Sequence, residues 1–315
     1  MFDVKQLRVL RAVAEHGSFS AAADALSYTQ PAVSQQIAAL ERRAGTTLVD
    51  RGSRGVRLTD AGRALVDHAD AVLARLAAAE AELEAIAGVR GGRVRVSAFP
   101  TAAASILPSA VALFSERHPE VDLSFIQAEP QEAATMLRAA ELEVAVVFEY
   151  RNLSQPEFDR LYEGVELQDL LDDPMYLALP RHHPLARKQR LRLEDLAEQT
   201  WIQDDTGGEC GRLHEAACRS AGFEPRSLGF QSDDYNVVQG LIAAGVGVAL
   251  LPALALTNVR DDIVVRSLGR QAPSRRVAAA TLAGRFLSPA TEAMLAILEE
   301  VAGRFELPAG AAVAA

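Results

Sequence analysis

The sequence predicts an α/β protein overall, built as a winged helix-turn-helix head, a long linking helix and a body of two α/β lobes. Three observations carry this. Residues 17–41, GSFSAAADALSYTQPAVSQQIAALE, contain two helices separated by a tight turn. Residues 60–88 contain no proline and hold an apolar seam with 4-3 spacing. From Arg93 onward, short β-branched segments alternate with helical ones, the pattern of strand–helix–strand units.

The first helix spans about Val4 to His16, with Leu7, Leu10, Val13 and Ala14 as its apolar stripe and Gly17 ending it. Ser18 is placed to cap the next helix, which runs to about Leu26 and is rich in alanine. The turn is Ser27-Tyr28. Thr29 caps the following helix, and Pro31 falls in its first turn, where a missing N–H costs nothing. Val33, Ile37 and Leu40 face a core, which leaves Gln30, Pro31, Ser34 and Gln35 on the outer face. That is the layout of a helix whose N-terminal residues meet base edges in a major groove: Gln pairs bidentately with adenine and Ser serves several bases. The candidate DNA-binding residues here are Thr29, Gln30, Pro31, Ser34 and Gln35. An ordinary helical hairpin with a polar face is the plainer alternative.

The segment after Gly45 reads as a two-stranded wing, with strands at Thr47–Val49 and Val56–Leu58 and a glycine-rich tip. Arg51 and Arg54 at that tip are expected to reach phosphates or the adjacent minor groove. Charge is distributed accordingly. The chain carries −10, yet up to Gly62 eight bases oppose six acids, so the head is +2 and the remainder −12. A mildly basic head on an acidic body fits a DNA-binding domain joined to something else.

In the long helix the seam is Leu65, Ala69, Val72, Leu76, Ala79, Leu83 and Ile86. Leu65, Val72, Leu76, Leu83 and Ile86 are the expected dimerisation residues, because an isolated helix of this length has little else to pack on. Arg90-Gly91-Gly92 is a joint.

The body is expected as domain 91–305, after a head at 1–59 and a linker at 60–90. Its first lobe takes 91–164 and 267–305 and its second 165–266, and 306–315 form a frayed tail. Strands are expected at 93–98, 121–127 and 144–149, and the helical stretch 101–118 is expected to break near Pro108. An extended crossing at 164–172 precedes a new strand at 175–179. Ligands of open α/β sheets bind beyond the carboxyl ends of strands. Those ends supply the candidate effector residues Phe99, Pro100, Thr101, Gln127, Phe148, Glu149, Gln203, Asp204 and Thr206, with Gly247 beside them. Thr101 sits at a helix N-terminus, where free N–H groups favour an anion. Glu149, Asp204 and Asp205 add negative charge, which points to an effector with a cationic or hydrogen-bond-donating part.

With 49% hydrophobic and 23% charged residues the chain is a folded globular protein. The longest nearly apolar run, 243–256, is too short and too rich in Gly and Pro to span a bilayer. No charged-then-apolar leader precedes Leu10, and two cysteines make no disulfide framework, so a cytoplasmic protein is expected. A nicotinamide- or nucleotide-dependent enzyme has only Gly245-Val246-Gly247 to support it. That pair follows a helix and precedes a strand, the reverse of a dinucleotide fingerprint. No phosphate loop, zinc-protease motif or nucleophile elbow is present, so no catalytic, metal or cofactor role is expected. A transport-type solute-binding protein accounts for the lobes but not for residues 1–90. An interaction-only coiled coil does not account for the wing.

Taken with Leu7–Arg11, the segments Gly17–Leu26, QPAVSQQI at 30–37, Leu40-Glu41, the wing 51–57 and LTDAG at 58–62 resemble the LysR-type transcriptional regulators. The resemblance extends over nearly the whole chain. It implies a winged helix-turn-helix, a linker-helix dimer and a periplasmic-binding-protein-like effector domain. It further implies tetramers on spaced half-sites in double-stranded promoter DNA, a small-molecule effector rather than a cofactor, and RNA polymerase as a candidate partner. Thr101, seven residues before Pro108, matches the family's frequent polar effector contact. Gln35, where many relatives have arginine, and Asp50 before the wing arginine both reduce attraction to phosphates. Peroxide-sensing members use two cysteines in about the region of Cys210 and Cys218, so a redox-sensing regulator is a narrower alternative. A structural Cys218 in a helix core is the plainer one.

Overall fold

The computed structural model describes residues 2–52, 55–86, 92–150, 160–204, 209–230, 234–269 and 272–306. The chain divides into an amino-terminal unit containing residues 1–89 and a larger unit containing nearly all of the rest.

In the first unit, helices α1 (Val4–His16), α2 (Phe19–Ala25) and α3 (Gln30–Ala44) are each set by a side-chain cap. Asp3, Ser18 and Thr29 accept from the backbone N–H of Lys5, Ala21 and Ala32. Gly17 and Gly45 end α1 and α3 in the left-handed region, at φ 62° and 70°. The sequence-read core closes as expected: Leu10, Val13, Val33, Ile37 and Leu40 are buried together with Phe19 and Leu48.

The wing consists of β1 (Val49–Gly52) and β2 (Gly55–Leu58), antiparallel with Val49 opposite Leu58. Its first strand starts two residues later than expected. Leu48 is buried in the core, and the Leu48 and Val49 N–H groups are both taken by Glu41 Oε1, at 2.9 and 3.3 Å. Glu41 thus ties the wing to α3. The tip residues 53–54, Arg54 among them, lie outside the described residues.

Helix α4 (Asp60–Ile86) is about 40 Å long at 1.5 Å per residue. The Gly62 N–H donates to Thr59 Oγ1 at 3.0 Å, and Thr59 itself donates to the Thr47 carbonyl at 2.8 Å. A Cβ on Gly62 would stand 2.0 Å from the Leu48 carbonyl oxygen, so this close approach requires glycine.

In the second unit, lobe I is built on β3 (Gly92–Ala98), β4 (Val121–Gln127), β5 (Val144–Tyr150), the start of β6 (Val165–Pro180) and β11 (Ser274–Leu282). The order is β4-β3-β5-β11-β6. β3 is parallel to β4 and β5, as expected of crossover units, whereas β11 is antiparallel to β5 and β6 because the chain re-enters this sheet from the other lobe. One face is covered by α5 (Pro100–Ala104), α6 (Ile106–Arg117) and α10 (Pro289–Ala302), the other by α7 (Pro130–Arg138). The expected break near Pro108 falls instead at Ser105, whose hydroxyl donates to the Thr101 carbonyl at 2.6 Å. Pro108 lies in the first turn of α6, where proline is tolerated.

Lobe II carries the end of β6 with β9 (Ala249–Pro252) and β10 (Ile263–Ser267) on either side. The parallel pair β7 (Thr200–Asp204) and β8 (Arg226–Phe230) joins through a Trp201–Val248 bridge. Helices α8 (Glu209–Ser220) and α9 (Tyr235–Ala243) pack on this lobe.

One sequence expectation is corrected here. Residues 164–172 and 175–179 are not a crossing followed by a strand. From Val165 on they belong to the single strand β6, whose residues 165–174 pair with β11 in lobe I and whose residues 175–180 pair in lobe II. The lobe boundary on this strand therefore lies near residue 174 rather than 164. Of the expected tail 306–315, residues 307–315 lie outside the described residues.

Candidate functional site

On α3 the residues divide cleanly by exposure. Val33, Ile37 and Leu40 are fully buried, while Gln30, Pro31, Gln35, Arg42 and Arg43 are exposed and Ser34 is half-buried. Thr29 is exposed, and its hydroxyl is committed to the cap. The face expected to read bases is therefore free of the core, with two arginines in the last turn of the same helix. Sequence reading passed over Tyr28, which is exposed in the turn with the Lys5 ammonium 5.2 Å from its ring centroid. The side chain of Arg51 lies outside the described residues.

Along α4 the expected seam separates into two parts. Leu65 is half-buried and packs on the core of the head, and Ala69 is buried. Leu65 is therefore engaged within its own chain, which corrects its assignment to dimerisation alone. Val72, Leu76 and Leu83 are 43%, 40% and 66% exposed in the single chain and are available to a partner helix. The side chain of Ile86 is outside the described residues.

In the body, the end of β3, the start of α5, the end of β5 and β11 meet around one guanidinium. Arg275 on β11 donates from Nε to Asp173 Oδ2 at 2.7 Å and from Nη2 to Thr101 Oγ1 at 2.5 Å. It lies against the rings of Phe99 and Phe148, 4.7 and 4.6 Å from their centroids, and those rings meet edge to face at 4.7 Å. Phe148 continues to Tyr150 at 5.3 Å. Asp173 is fully buried, and its Oδ1 accepts the Leu254 N–H at 3.0 Å. Burial opposes the charge on Arg275, but the adjoining Asp173 carboxylate outweighs it, so the guanidinium is held charged even more firmly than usual.

Of the expected cleft residues, Phe99, Thr101 and Phe148 come together here, with Pro100 half-buried beside Thr101. Thr101 is buried and its hydroxyl is already held by Arg275. Gln127 is exposed at the end of β4. Glu149 is corrected: strand alternation turns it away from Phe148 and Tyr150, and it accepts from Arg276 Nη1 at 3.0 Å. Arg276 also pairs with Asp169. Glu149 therefore adds no negative charge beside Thr101. At Gly247 a Cβ would stand 2.5 Å from the Thr200 carbonyl oxygen. Its role is to let the chain before β9 approach β7. The side chains of Gln203 and Asp204, and all of Asp205 and Thr206, lie outside the described residues.

Sequence reading missed Arg275 and Asp173. The signal was present in the alternation of SRRVAAA at 274–280, which sets Arg275 on the same inward face as Val277 and Ala279.

Cys218 is fully buried in lobe II, its sulfur 3.5 Å from His214 Nε2, with the His214 ring 4.3 Å from that of Trp201. Burial, with Glu224 and Glu215 adding to it, pushes the thiol up to about 12. Burial brings His214 down to about 4. The Cys210 side chain lies outside the described residues.

Comparison with known proteins agrees with both units. Residues 4–63 match the bacterial regulatory helix-turn-helix of the lysR family, and residues 87–303 match the LysR substrate binding domain. The chain is 32% identical over 305 residues to a probable HTH-type transcriptional regulator, LrrA, of Synechococcus elongatus, covering 95% of this chain and 97% of that one. It is 31% identical to a probable hydrogen peroxide-inducible genes activator of Streptomyces viridosporus, over 95% and 94% of the two chains. Among solved structures, a full-length OxyR variant from Pseudomonas aeruginosa shares the fold with a TM-score of 0.70 at 22% identity, covering 98% of this chain and 96% of that one. The fold is shared as well with CbnR, a LysR family transcriptional regulator, at a TM-score of 0.62 and 23% identity, over 96% and 99% of the chains. With a family match over each unit and a relative of such identity along nearly its whole length, the protein belongs to the LysR family of transcriptional regulators.

Proposed function

We propose that the protein controls transcription by setting α3 in the major groove of promoter DNA and altering that contact when a small effector enters between its lobes. The observation that carries the DNA half of this reading is α3 itself. Its inner face is sealed, while Gln30, Ser34 and Gln35 stand on the outer face with Arg42 and Arg43 in the last turn. Two such heads are brought together by pairing of α4 through Val72, Leu76 and Leu83. Pairs of dimers form the tetramer that spans spaced half-sites. Effector binding changes the angle between lobes, hence the spacing of the heads and the bend of the DNA. RNA polymerase is the partner through which such a bend acts, and the cytoplasm is where it acts. No reaction is assigned to the chain.

Mobility-shift titration against promoter DNA tests this, with log affinity falling linearly in log salt concentration at a slope of about −0.9 per phosphate contacted. Equal binding to promoter and unrelated DNA would refute sequence reading by α3. A redox switch through Cys210 and Cys218 draws support from the likeness to a probable hydrogen peroxide-inducible genes activator of Streptomyces viridosporus. The surroundings of Cys218 oppose it, because a buried thiol held protonated at neutral pH is a poor nucleophile toward peroxide.

A further inference from the structure

The body is acidic as a whole, yet one stretch of lobe II is strongly basic. Residues 181–192, RHHPLARKQRLR, hold Arg181, Arg187, Lys188, Arg190 and Arg192 and no acid. This segment carries +5, more than the entire head, and leaves −17 on the rest of the body. All five basic residues are exposed. Lys188 is paired with Asp195 at 2.5 Å, and Arg181 Nη1 donates to the Asp261 carbonyl at 2.9 Å. Arg187 and Arg190 pair with no carboxylate among the described residues.

The segment is held from beneath. It leaves β6 at Pro180 and passes through a short 3-10 turn at Pro184–Arg187. Arg266 on β10 is buried and donates from Nη1 to the Ala186 carbonyl and from Nη2 to the Lys188 carbonyl, both at 2.6 Å. His183 Nδ1 accepts the Leu185 N–H at 3.2 Å, and its Nε2 lies 3.0 Å from Gln199 Oε1. Ala186, Leu191 and Leu193 are buried, so the basic residues beside them stand outward. A backbone fixed before contact lowers the ordering cost of binding. The surface also selects among polyanions. A protein-docking face has an apolar core with aromatic anchors, and none of the exposed large hydrophobic side chains of the described residues lies in this segment. Arginines with an exposed glutamine and histidine and no apolar centre suit a phosphate backbone, whose oxygens guanidinium forks grip without reading bases.

Resting on the DNA-binding reading above and going beyond it, we propose that residues 181–192 of lobe II form a second, sequence-independent DNA contact in which Arg187 and Arg190 meet phosphates of the duplex. Selection of a site still depends on the heads. The acidic remainder of the body repels DNA, so the contact is confined to this loop and does not grow into wrapping.

The test titrates the full-length protein and its Arg187→Gln/Arg190→Gln variant against a promoter fragment and an unrelated duplex of equal length, over a range of salt concentrations. The slope of log affinity against log salt should become shallower by about 2 for each subunit whose loop is engaged, about 1 per lost phosphate contact, and equally on both duplexes. Arg187→Lys/Arg190→Lys should restore the slope, because the charge is kept. The thermal midpoint should not move, since both residues are exposed. Should the double variant not fold, the unaltered protein still decides. The chain has two lysines, Lys5 in the head and Lys188 in this loop, and bound duplex should slow acetylation of Lys188 several-fold. An unchanged slope, or in the unaltered protein an unchanged rate at Lys188, overturns the proposal and leaves reading by α3 standing. An unchanged slope together with lost activity in reconstituted transcription assigns the loop to an acidic protein partner instead. A changed sedimentation of the free variant assigns it to a second copy of the chain, which equally overturns the DNA contact. Failure of the unaltered protein to bind either duplex would remove the DNA-binding reading and this proposal together.

Discussion

Gln35 occupies a position on α3 where arginine would add a charge toward phosphates, and its side chain is exposed. It is thus fitted to read a base, not to anchor the backbone. Gln35→Ala is expected to weaken binding to a matched operator by about 1–3 kcal/mol and to relax preference at one base position, measured by anisotropy titration on operator variants. His214 gives a different prediction. It is buried and neutral, with a folded pKa of about 4 against an ordinary 6.5. The unfolded chain therefore binds the additional proton between these values, so the stabilisation is complete above about pH 6.5 and is lost as pH falls toward 4. The loss should approach about 3 kcal/mol, seen as a falling urea midpoint between pH 7 and 4. His214→Phe should flatten that slope.

Elements are held by a few backbone approaches that only glycine permits. Gly62 brings the first turn of α4 onto the Leu48 carbonyl, fixing where the linking helix leaves the wing. Gly62→Ala should lower stability by about 1–3 kcal/mol, read from the thermal midpoint, because the obstacle is backbone rather than a movable side chain. Further along α4, Leu76 is exposed in the single chain and so plays little part in folding the head. Leu76→Asp should leave the helical spectrum intact yet weaken dimerisation by about 3–5 kcal/mol by placing an unpaired charge in the seam, as sedimentation would show. An unchanged dimer would mean that α4 pairs through another face.

Across the whole molecule, the contrast between a +2 head and an acidic remainder limits nonspecific wrapping of DNA around the protein. Binding then depends on the heads and on their spacing. In the proposed mechanism the effector body acts on that spacing, and β6 is the one strand that pairs in both lobes, with Asp173 at the crossing. A verified effector is expected to change the length of the nuclease footprint on promoter DNA or its hypersensitive positions. Identical footprints with and without it would show that lobe closure does not reach the DNA.

The head was legible residue by residue because its determinants are local. Capping side chains, a proline in a first turn, glycines ending helices and a 3.6-residue apolar period act over one or two turns, and all of them reappear in α1 to α3. The alternation of strands and helices likewise announced two α/β lobes. What the sequence could not fix were features decided by partners distant along the chain. Period-two alternation could have pointed Arg275 inward, but not shown that Asp173, 102 positions earlier, and Thr101, 174 positions earlier, would meet it. Glu149 looked like a cleft acid until β11 supplied Arg276 on the opposite face of the sheet. Leu65 read as part of the dimer seam because heptad spacing cannot tell a partner's surface from the chain's own. The sequence by itself thus determined the fold, the family resemblance and the outer face of α3, all of which are written in short-range periodicity. The tertiary structure alone decided which charged groups meet, Arg275 with Asp173 and Arg276 with Glu149, because only folding brings such distant positions together.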